Sequence, residues 1–295
     1  MTLSGVHVPL ITPFDGTGAV AFSALEALAH EVLDAGAAGI VALGTTAEPA
    51  SLDAAERRGV VDVIARVCRE RAAPLLVGAG TVDEVKALSE RPEVTAALSL
   101  VPPFLRPGEA GVIAHFAALA AASPVPLVVY HVPYRTGQEL RADAIRRLAG
   151  LTGVAGIKYA VGGIGADTVE LLADPPADFA VLGGDDAFIS PLLALGAHGG
   201  ILASAHVATA RYVELAGAWH AGDVARARSL GHRLAVLSSV LFAEPNPTVV
   251  KAVLHAQGRI PAATVRPPLL PAGRGTVQAA LRHVETLSEL APPVH

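Results

Sequence analysis

Cysteine is almost absent from this chain: Cys68 is the only one among 295 residues. Neither an internal disulfide framework nor a thiolate zinc cluster can therefore form within one chain, and a reducing compartment is expected. Lysine is nearly as scarce, since only Lys86, Lys158 and Lys251 occur and the other basic residues are arginines. Charged residues make up 17% against 52% hydrophobic, a balance that excludes a disordered chain. Acidic residues outnumber basic ones, 27 to 22, so the concentrated basic footprint of a nucleic-acid binder is missing. The eleven histidines are scattered without metal-ligand spacing, and no metal is expected. Gly78-Ala79-Gly80 and Gly162-Gly163-Ile164-Gly165 miss the phosphate-loop spacings.

Long uninterrupted apolar runs are also lacking. The opening segment 1–14 has no basic start and is broken by Pro9 and Pro13, which argues against a secretory signal. Segment 112–133 carries His115 and is cut by Pro124 and Pro126, so it reads as a buried helix followed by a buried strand rather than a membrane span. A cytoplasmic protein with no membrane partner is the expectation. At this length roughly three quarters of the unfolded surface can be buried, enough for a core without staples.

What is present is an alternation. Short apolar runs at 6–11, 39–43, 74–77, 97–101, 127–130, 154–158, 179–182 and 200–203 have the look of parallel strands buried on both faces. Amphipathic segments separate them. Four carry a capping residue three positions before a glutamate: Ser23 with Glu26, Asp53 with Glu56, Thr81 with Glu84, and Asp167 with Glu170. Eight strand–helix units predict an α/β fold, a closed (β/α)₈ TIM barrel. The rival, an open doubly wound sheet, lacks its Gly-rich turn, because the first strand runs into Thr12-Pro13-Phe14-Asp15-Gly16. Helical patterns at 207–221, 224–241, 247–257 and 275–290 predict the last barrel helix and a small C-terminal helical extension. The expected division is a barrel over 1–222 and a helical layer packed on it over 223–295, with 261–275 as a surface connection.

A barrel places its active site at the carboxyl ends of its strands. Lys158 ends the apolar run Val154-Ala155-Gly156-Ile157 there, whereas Lys86 and Lys251 fall in helical patterns where a solvated amine is ordinary. Desolvation at such a position lowers an amine's pKa and makes it a nucleophile toward ketones. The competing reading is a lysine that snorkels or pairs with a carboxylate such as Asp185. Tyr130 ends the fifth run and can move protons. Thr45 and Thr46 offer hydroxyl and backbone donors, although both also suit a turn. Arg135 suits a substrate carboxylate or a surface ion pair. Asp185-Asp186 is read as a helix-opening acidic pair, with magnesium the less favoured alternative. Cys68, inside a helix, is read as inert.

At these residues the chain resembles the dihydrodipicolinate synthase / N-acetylneuraminate lyase family of pyruvate-dependent class I aldolases, over essentially its whole length. Gly44-Thr45-Thr46-Ala47-Glu48 is similar to the family's Gly-Thr-Thr-Gly-Glu. Tyr130-His131-Val132-Pro133-Tyr134-Arg135-Thr136-Gly137 matches Tyr-Asn-x-Pro-x-Arg-Thr-Gly, and Gly156-Ile157-Lys158 matches the segment of the Schiff-base lysine. Gly183-Gly184-Asp185-Asp186 resembles Ser-Gly-Asp-Asp, and Glu244-Pro245-Asn246-Pro247 with Lys251 resembles the C-terminal signature.

The resemblance implies an imine between pyruvate and Lys158, with no cofactor. It makes Tyr130 a proton shuttle assisted by Thr45, and gives the pyruvate carboxylate to Thr46 and the backbone near Thr45. Gly184 and Ile201 are expected to line the pocket, and Arg135 to meet the carboxylate of aspartate semialdehyde. Homotetramers built from tight dimers are expected, with a homodimer as the simpler form. Pyruvate and an aldehyde are the expected substrates. Where the synthase branch has Pro-Tyr-Tyr, this chain has Pro103-Phe104-Leu105. The second tyrosine reaches a neighbouring subunit's site in that branch, and leucine carries no proton. His131 and Tyr159 also depart from the family's asparagine and acidic residue, and the helix after the third strand looks short. The expected activity is condensation of pyruvate with aspartate semialdehyde. Retro-aldol cleavage of a 2-keto-3-deoxy sugar acid is the alternative within the same chemistry, and an inactive keto-acid-binding barrel is the alternative outside it.

Overall fold

The computed structural model describes residues 3–288. Eight strands run β1 Gly5–Pro9, β2 Gly39–Ala42, β3 Leu75–Gly78, β4 Val94–Leu100, β5 Leu127–His131, β6 Val154–Tyr159, β7 Ala180–Gly183 and β8 Gly199–Ile201. All are parallel to their neighbours, and β8 returns to β1 to close a barrel in sequence order. The open-sheet alternative is thereby excluded. Strands buried on both faces need apolar side chains pointing both ways. One set, including Val41, Leu76, Leu98, Val128, Leu182 and Ile201, fills the barrel interior. The other set meets the surrounding helices.

The helices are α1 Phe22–Asp34, α2 Ala54–Glu70, α3 Val82–Ala87, α4 Gly108–Ala122, α5 Pro133–Thr136, α6 Ala142–Ala149, α7 Ala166–Ala173, α8 Ile189–Ala194, α9 Ala205–His220, α10 Val224–Leu241, α11 Thr248–Ala256 and α12 Arg274–Ser288. α3 is a short helix extended by one 3₁₀ turn, as the spacing suggested. α10 packs on α8, α9 and α12, which gives the chain a helical layer beyond its eighth strand. The last two positions of the helix expected over 275–290 lie outside the described residues.

Two of the four capping boxes form as expected. Asp53 accepts from the Glu56 N–H while Glu56 accepts from the Asp53 N–H, and Thr81 and Glu84 exchange the same pair of bonds. The other two do not. The bridge from Phe14 to Val20, with the Ala21 N–H on Pro13 O, starts α1 already at Phe22, so Ser23 sits inside the helix. α7 begins after Gly165, whose N–H donates to the Thr168 hydroxyl, and Asp167 accepts from the Ala142 N–H instead.

Two expectations about the C-terminal half need correcting. Lys251 is not solvated: it is fully buried, ion-paired with Glu48, donating to Thr264 O at 3.0 Å and lying 3.9 Å from the Phe14 ring centre. Burial pulls its amine down to about 8, with Glu48 opposing the shift. The stretch 261–275 is also more than a surface connection. Arg266 donates its N–H to the second Glu48 oxygen, and its guanidinium reaches Glu56 and covers the Phe14 ring. A helical pattern with few lysines cannot say which face meets the barrel, and here the inward face happens to carry the amine.

A buried pair broken on one side leaves an uncompensated charge, which costs about 3–5 kcal/mol. Lys251→Ala is therefore expected to lower unfolding free energy by that order in urea titration. The double substitution Lys251→Met with Glu48→Leu is expected to recover much of the loss, and an equal loss in both would assign the effect to shape.

Candidate active site

Every candidate residue read from the sequence comes to the carboxyl end of the barrel. Strand register sets Tyr130 of β5 directly beside Lys158 of β6. Both side chains are buried, at 8% and 7% exposure, and the Lys158 amine stands 4.3 Å from the centre of the Tyr130 ring. Among the described residues no carboxylate lies within ion-pair distance of that amine. Asp185, the partner considered from the sequence, instead accepts from the Tyr134 hydroxyl at 3.3 Å and from the Gly162 N–H. Burial lowers the Lys158 amine to about 8, opposed first by the charge of Asp186 and reinforced by Arg135. Burial raises the Tyr130 phenol, while Arg135 and a hydrogen bond with Thr45 pull it back.

The turn carrying Thr45 and Thr46 is fixed from three sides. Thr12 donates its hydroxyl to Ala47 O at 2.8 Å. Glu48, left-handed at φ 54°, is anchored by Lys251 and the Arg266 N–H. Asn246 donates to the Thr46 hydroxyl oxygen at 3.0 Å, so the proton of the Thr46 hydroxyl remains available as a donor. Thr46 is buried, whereas Thr45 is exposed at the mouth.

Gly184 passes directly under the lysine. A Cβ there would stand 2.8 Å from Lys158 Cε and 2.9 Å from its Cγ. Ile201 is fully buried in the interior cluster that includes Tyr130. Arg135 lies on α5 at the rim, exposed, with its guanidinium 5.9 Å from the Tyr134 ring centre. A cavity of about 590 Å³ opens at the barrel mouth, lined by Thr45, Tyr130, Arg135, Asn246 and, from the C-terminal stretch, Arg266 to Leu269.

Several buried polar contacts around the mouth have no local sequence signal. The Asp185-Asp186 pair does not cap a helix with its side chains, because the turn over 186–188 forms without a side-chain cap. Asp186 is buried and accepts from the Ser204 N–H at the end of β8. Burial raises its carboxyl to about 6. Asn246 was read only as part of a C-terminal pattern, and its contact with Thr46 spans 200 positions, which no local signal carries. His206, in the first turn of α9, ties the segment after β1 to the turn after β8: its Nε2 accepts from the Ile11 N–H at 3.0 Å while Nδ1 donates to Ala203 O at 2.7 Å. Burial holds it neutral, at about 4. Among the described residues no cluster of three or more His, Cys, Asp or Glu side chains is placed to hold a metal. No described helix is long and apolar enough to cross a membrane.

A parallel barrel with an unpaired, desolvated amine at the end of β6, faced by a phenol, has the layout of the imine-forming class I aldolases. The model of the dihydrodipicolinate synthetase family matches residues 2–286, and the chain belongs to that family. It is 36% identical over 288 residues to the 4-hydroxy-tetrahydrodipicolinate synthase of Neisseria meningitidis serogroup B, covering 95% of this chain and 98% of the relative. The dihydrodipicolinate synthase of Acinetobacter baumannii, solved in complex with pyruvate, superposes with a TM-score of 0.90 at 32% identity, covering 96% and 99% of the two chains. A synthase described as the first monomeric variant superposes with a TM-score of 0.91 at 28% identity, covering 98% of each chain. That the curated relatives are named as synthases supports an enzyme of the class I aldolase type.

Two outcomes follow from this geometry. Only the neutral amine attacks a carbonyl, so the rate of borohydride-trapped adduct formation with pyruvate is expected to rise about tenfold per pH unit and level off near the Lys158 value of about 8. A plateau already reached at neutral pH would contradict this. Gly184→Ala must displace the lysine stem, and is expected to abolish most trapping while circular dichroism stays native.

Proposed function

We propose that the chain is a 4-hydroxy-tetrahydrodipicolinate synthase-like enzyme, a lyase-class aldolase that joins pyruvate to aspartate semialdehyde through an imine. The observation that carries this reading is the buried Lys158 amine, free of ion pairs and lowered to about 8, against Tyr130. At neutral pH roughly a tenth of such an amine is uncharged, enough to attack the keto carbon.

Thr46 holds the pyruvate carboxylate with the hydroxyl proton that Asn246 leaves free. Tyr130, protonated at neutral pH because burial raises its phenol, donates to the oxygen that leaves as water. Its hydrogen bond to the exposed Thr45 leads the proton path outward to solvent. Gly184 leaves room for the Lys158 stem, Ile201 packs in the interior cluster with Tyr130, and Arg135 at the cavity rim receives the carboxylate of the second substrate. No cofactor takes part, since the electron sink is the imine itself. We assign the barrel to 1–222 and the helical layer to 223–295, of which 1–2 and 289–295 lie outside the described residues, and place the protein in the cytoplasm as a homotetramer or homodimer.

One observation favours a second reading, retro-aldol cleavage of a 2-keto-3-deoxy sugar acid or another 2-oxo acid. Leu105 stands 80% exposed where the resemblance implies a relay tyrosine, and it has no hydroxyl to offer a neighbouring site. A relay that ends in solvent through Thr45 serves cleavage as well as condensation.

The test pairs chemistry with specificity. Mass spectrometry after pyruvate and borohydride is expected to find one adduct, on Lys158, that Lys158→Ala abolishes. Condensation with aspartate semialdehyde is expected to exceed pyruvate release from a panel of 2-keto-3-deoxy acids by at least about tenfold in kcat/KM. The reverse order selects the lyase, and no adduct at all leaves an inactive barrel.

A further inference from the structure

Imine formation changes the charge inside the barrel. The neutral Lys158 amine adds its lone pair to the keto carbon of the 2-oxo acid, and the carbonyl oxygen becomes the carbinolamine hydroxyl. Uptake of one proton then expels that hydroxyl as water and leaves a carbon–nitrogen double bond bearing one positive charge. A neutral, desolvated group has become a fixed cation, and a buried cation is costly without an anion nearby.

Two carboxylates follow Gly184, the residue packed against the Lys158 stem, and the structure treats them differently. Asp185 is half-buried and its two oxygens are taken by the Tyr134 hydroxyl and the Gly162 N–H. Asp186 is buried, and one of its oxygens is oriented by the Ser204 N–H from the end of β8. It stands two residues beyond Gly184, whose backbone supports the Lys158 stem. It follows β7, the strand paired with the lysine's own β6, and among the described residues it makes no ion pair with Lys158, so the amine stays free to react.

We propose that Asp186 is the electrostatic partner of the iminium formed on Lys158, a positioning charge that acts on the reacting nitrogen without an ion pair to it. This rests on the imine chemistry proposed above. The geometry is that of a preorganised counter-charge, fixed by backbone before the cation exists. The other charged groups acting here are Arg135, which opposes the cation, and Asp185; the phenols of Tyr130 and Tyr212 also feel the Asp186 charge. From the α10 side, Ser238 and Ser239 line the adjoining cavity of about 410 Å³ together with Asp186.

The role has a signature that damage to the fold does not share. At about pH 5 the lysine is already a cation and the Asp186 carboxyl, raised to about 6, is largely protonated, so ammonium and iminium gain equally little from it. Above about pH 8 Asp186 is ionised and the free amine is neutral, so only the iminium profits. Asp186→Asn, which keeps a carbonyl oxygen for the Ser204 N–H, is therefore expected to lower the equilibrium yield of imine at subsaturating pyruvate about tenfold at about pH 9 and leave it unchanged at about pH 5. The midpoint of the trapping rate is expected to move below the wild-type value, because the ammonium loses the same partner. Asp186→Glu, which keeps the charge, is expected to retain the wild-type ratio of yields at the two pH values, and it carries the test if the asparagine variant does not fold. A folded Asp186→Asn protein with wild-type midpoint and yields overturns the proposal. So does a yield lowered equally at both pH values, or a folded Asp186→Glu protein that loses the wild-type ratio. Failure of the wild-type protein to form an adduct on Lys158 would instead remove the functional reading and leave the role of Asp186 without its premise.

Discussion

The structure depends on keeping one amine out of water. Lys158 ends a strand whose inner face continues a core of valine, leucine and isoleucine, so its alkyl stem is solvated by protein and its nitrogen reaches only the top of that core. Desolvation lowers the amine's affinity for a proton, and the absence of a contacting carboxylate prevents that loss from being repaid. Barrel closure is what makes this possible.

The second buried lysine shows how much the partner matters. Lys251 is as deeply buried as Lys158, and burial pulls both amines to about 8. Lys251, however, is held by Glu48, by Thr264 O and by the Phe14 ring. Its charge is committed to geometry: it fixes the left-handed Glu48 and with it the turn that presents Thr45 and Thr46. One amine is a paired structural cation and the other has no ion pair among the described residues, and the difference lies in what each touches rather than in how buried each is.

The mouth is assembled from distant parts of the chain. Thr12 comes from the first loop, Asn246 and Arg266 from beyond the eighth strand, and Tyr134 bridges to Asp185 across the fifth and seventh loops. The large cavity above Tyr130 is walled partly by the stretch 266–269, so the C-terminal region shapes access to the barrel as well as covering its flank.

Periodicity alone was enough for the architecture. Eight apolar runs separated by amphipathic segments admit few arrangements, and short parallel strands buried on both faces need a helix after each. The candidate nucleophile also stands out in the sequence, because a lysine ending an apolar run is conspicuous in a chain with two others. Local pattern misjudged what depends on contacts far apart in sequence. Ser23 and Asp167 have the spacing of caps, but the incoming chain sets where α1 and α7 begin. Lys251 has the spacing of a solvated residue, yet its partner Glu48 lies 203 positions away. Asp186 has the look of a helix opener, yet its carboxylate takes the Ser204 N–H from 18 positions away. By itself the sequence determined which residues stand at the ends of the strands, since strand order and side-chain alternation follow from local hydrophobicity. Only the tertiary structure decided which of those residues are desolvated and which charges face one another, because burial and Coulomb energy depend on distance through space.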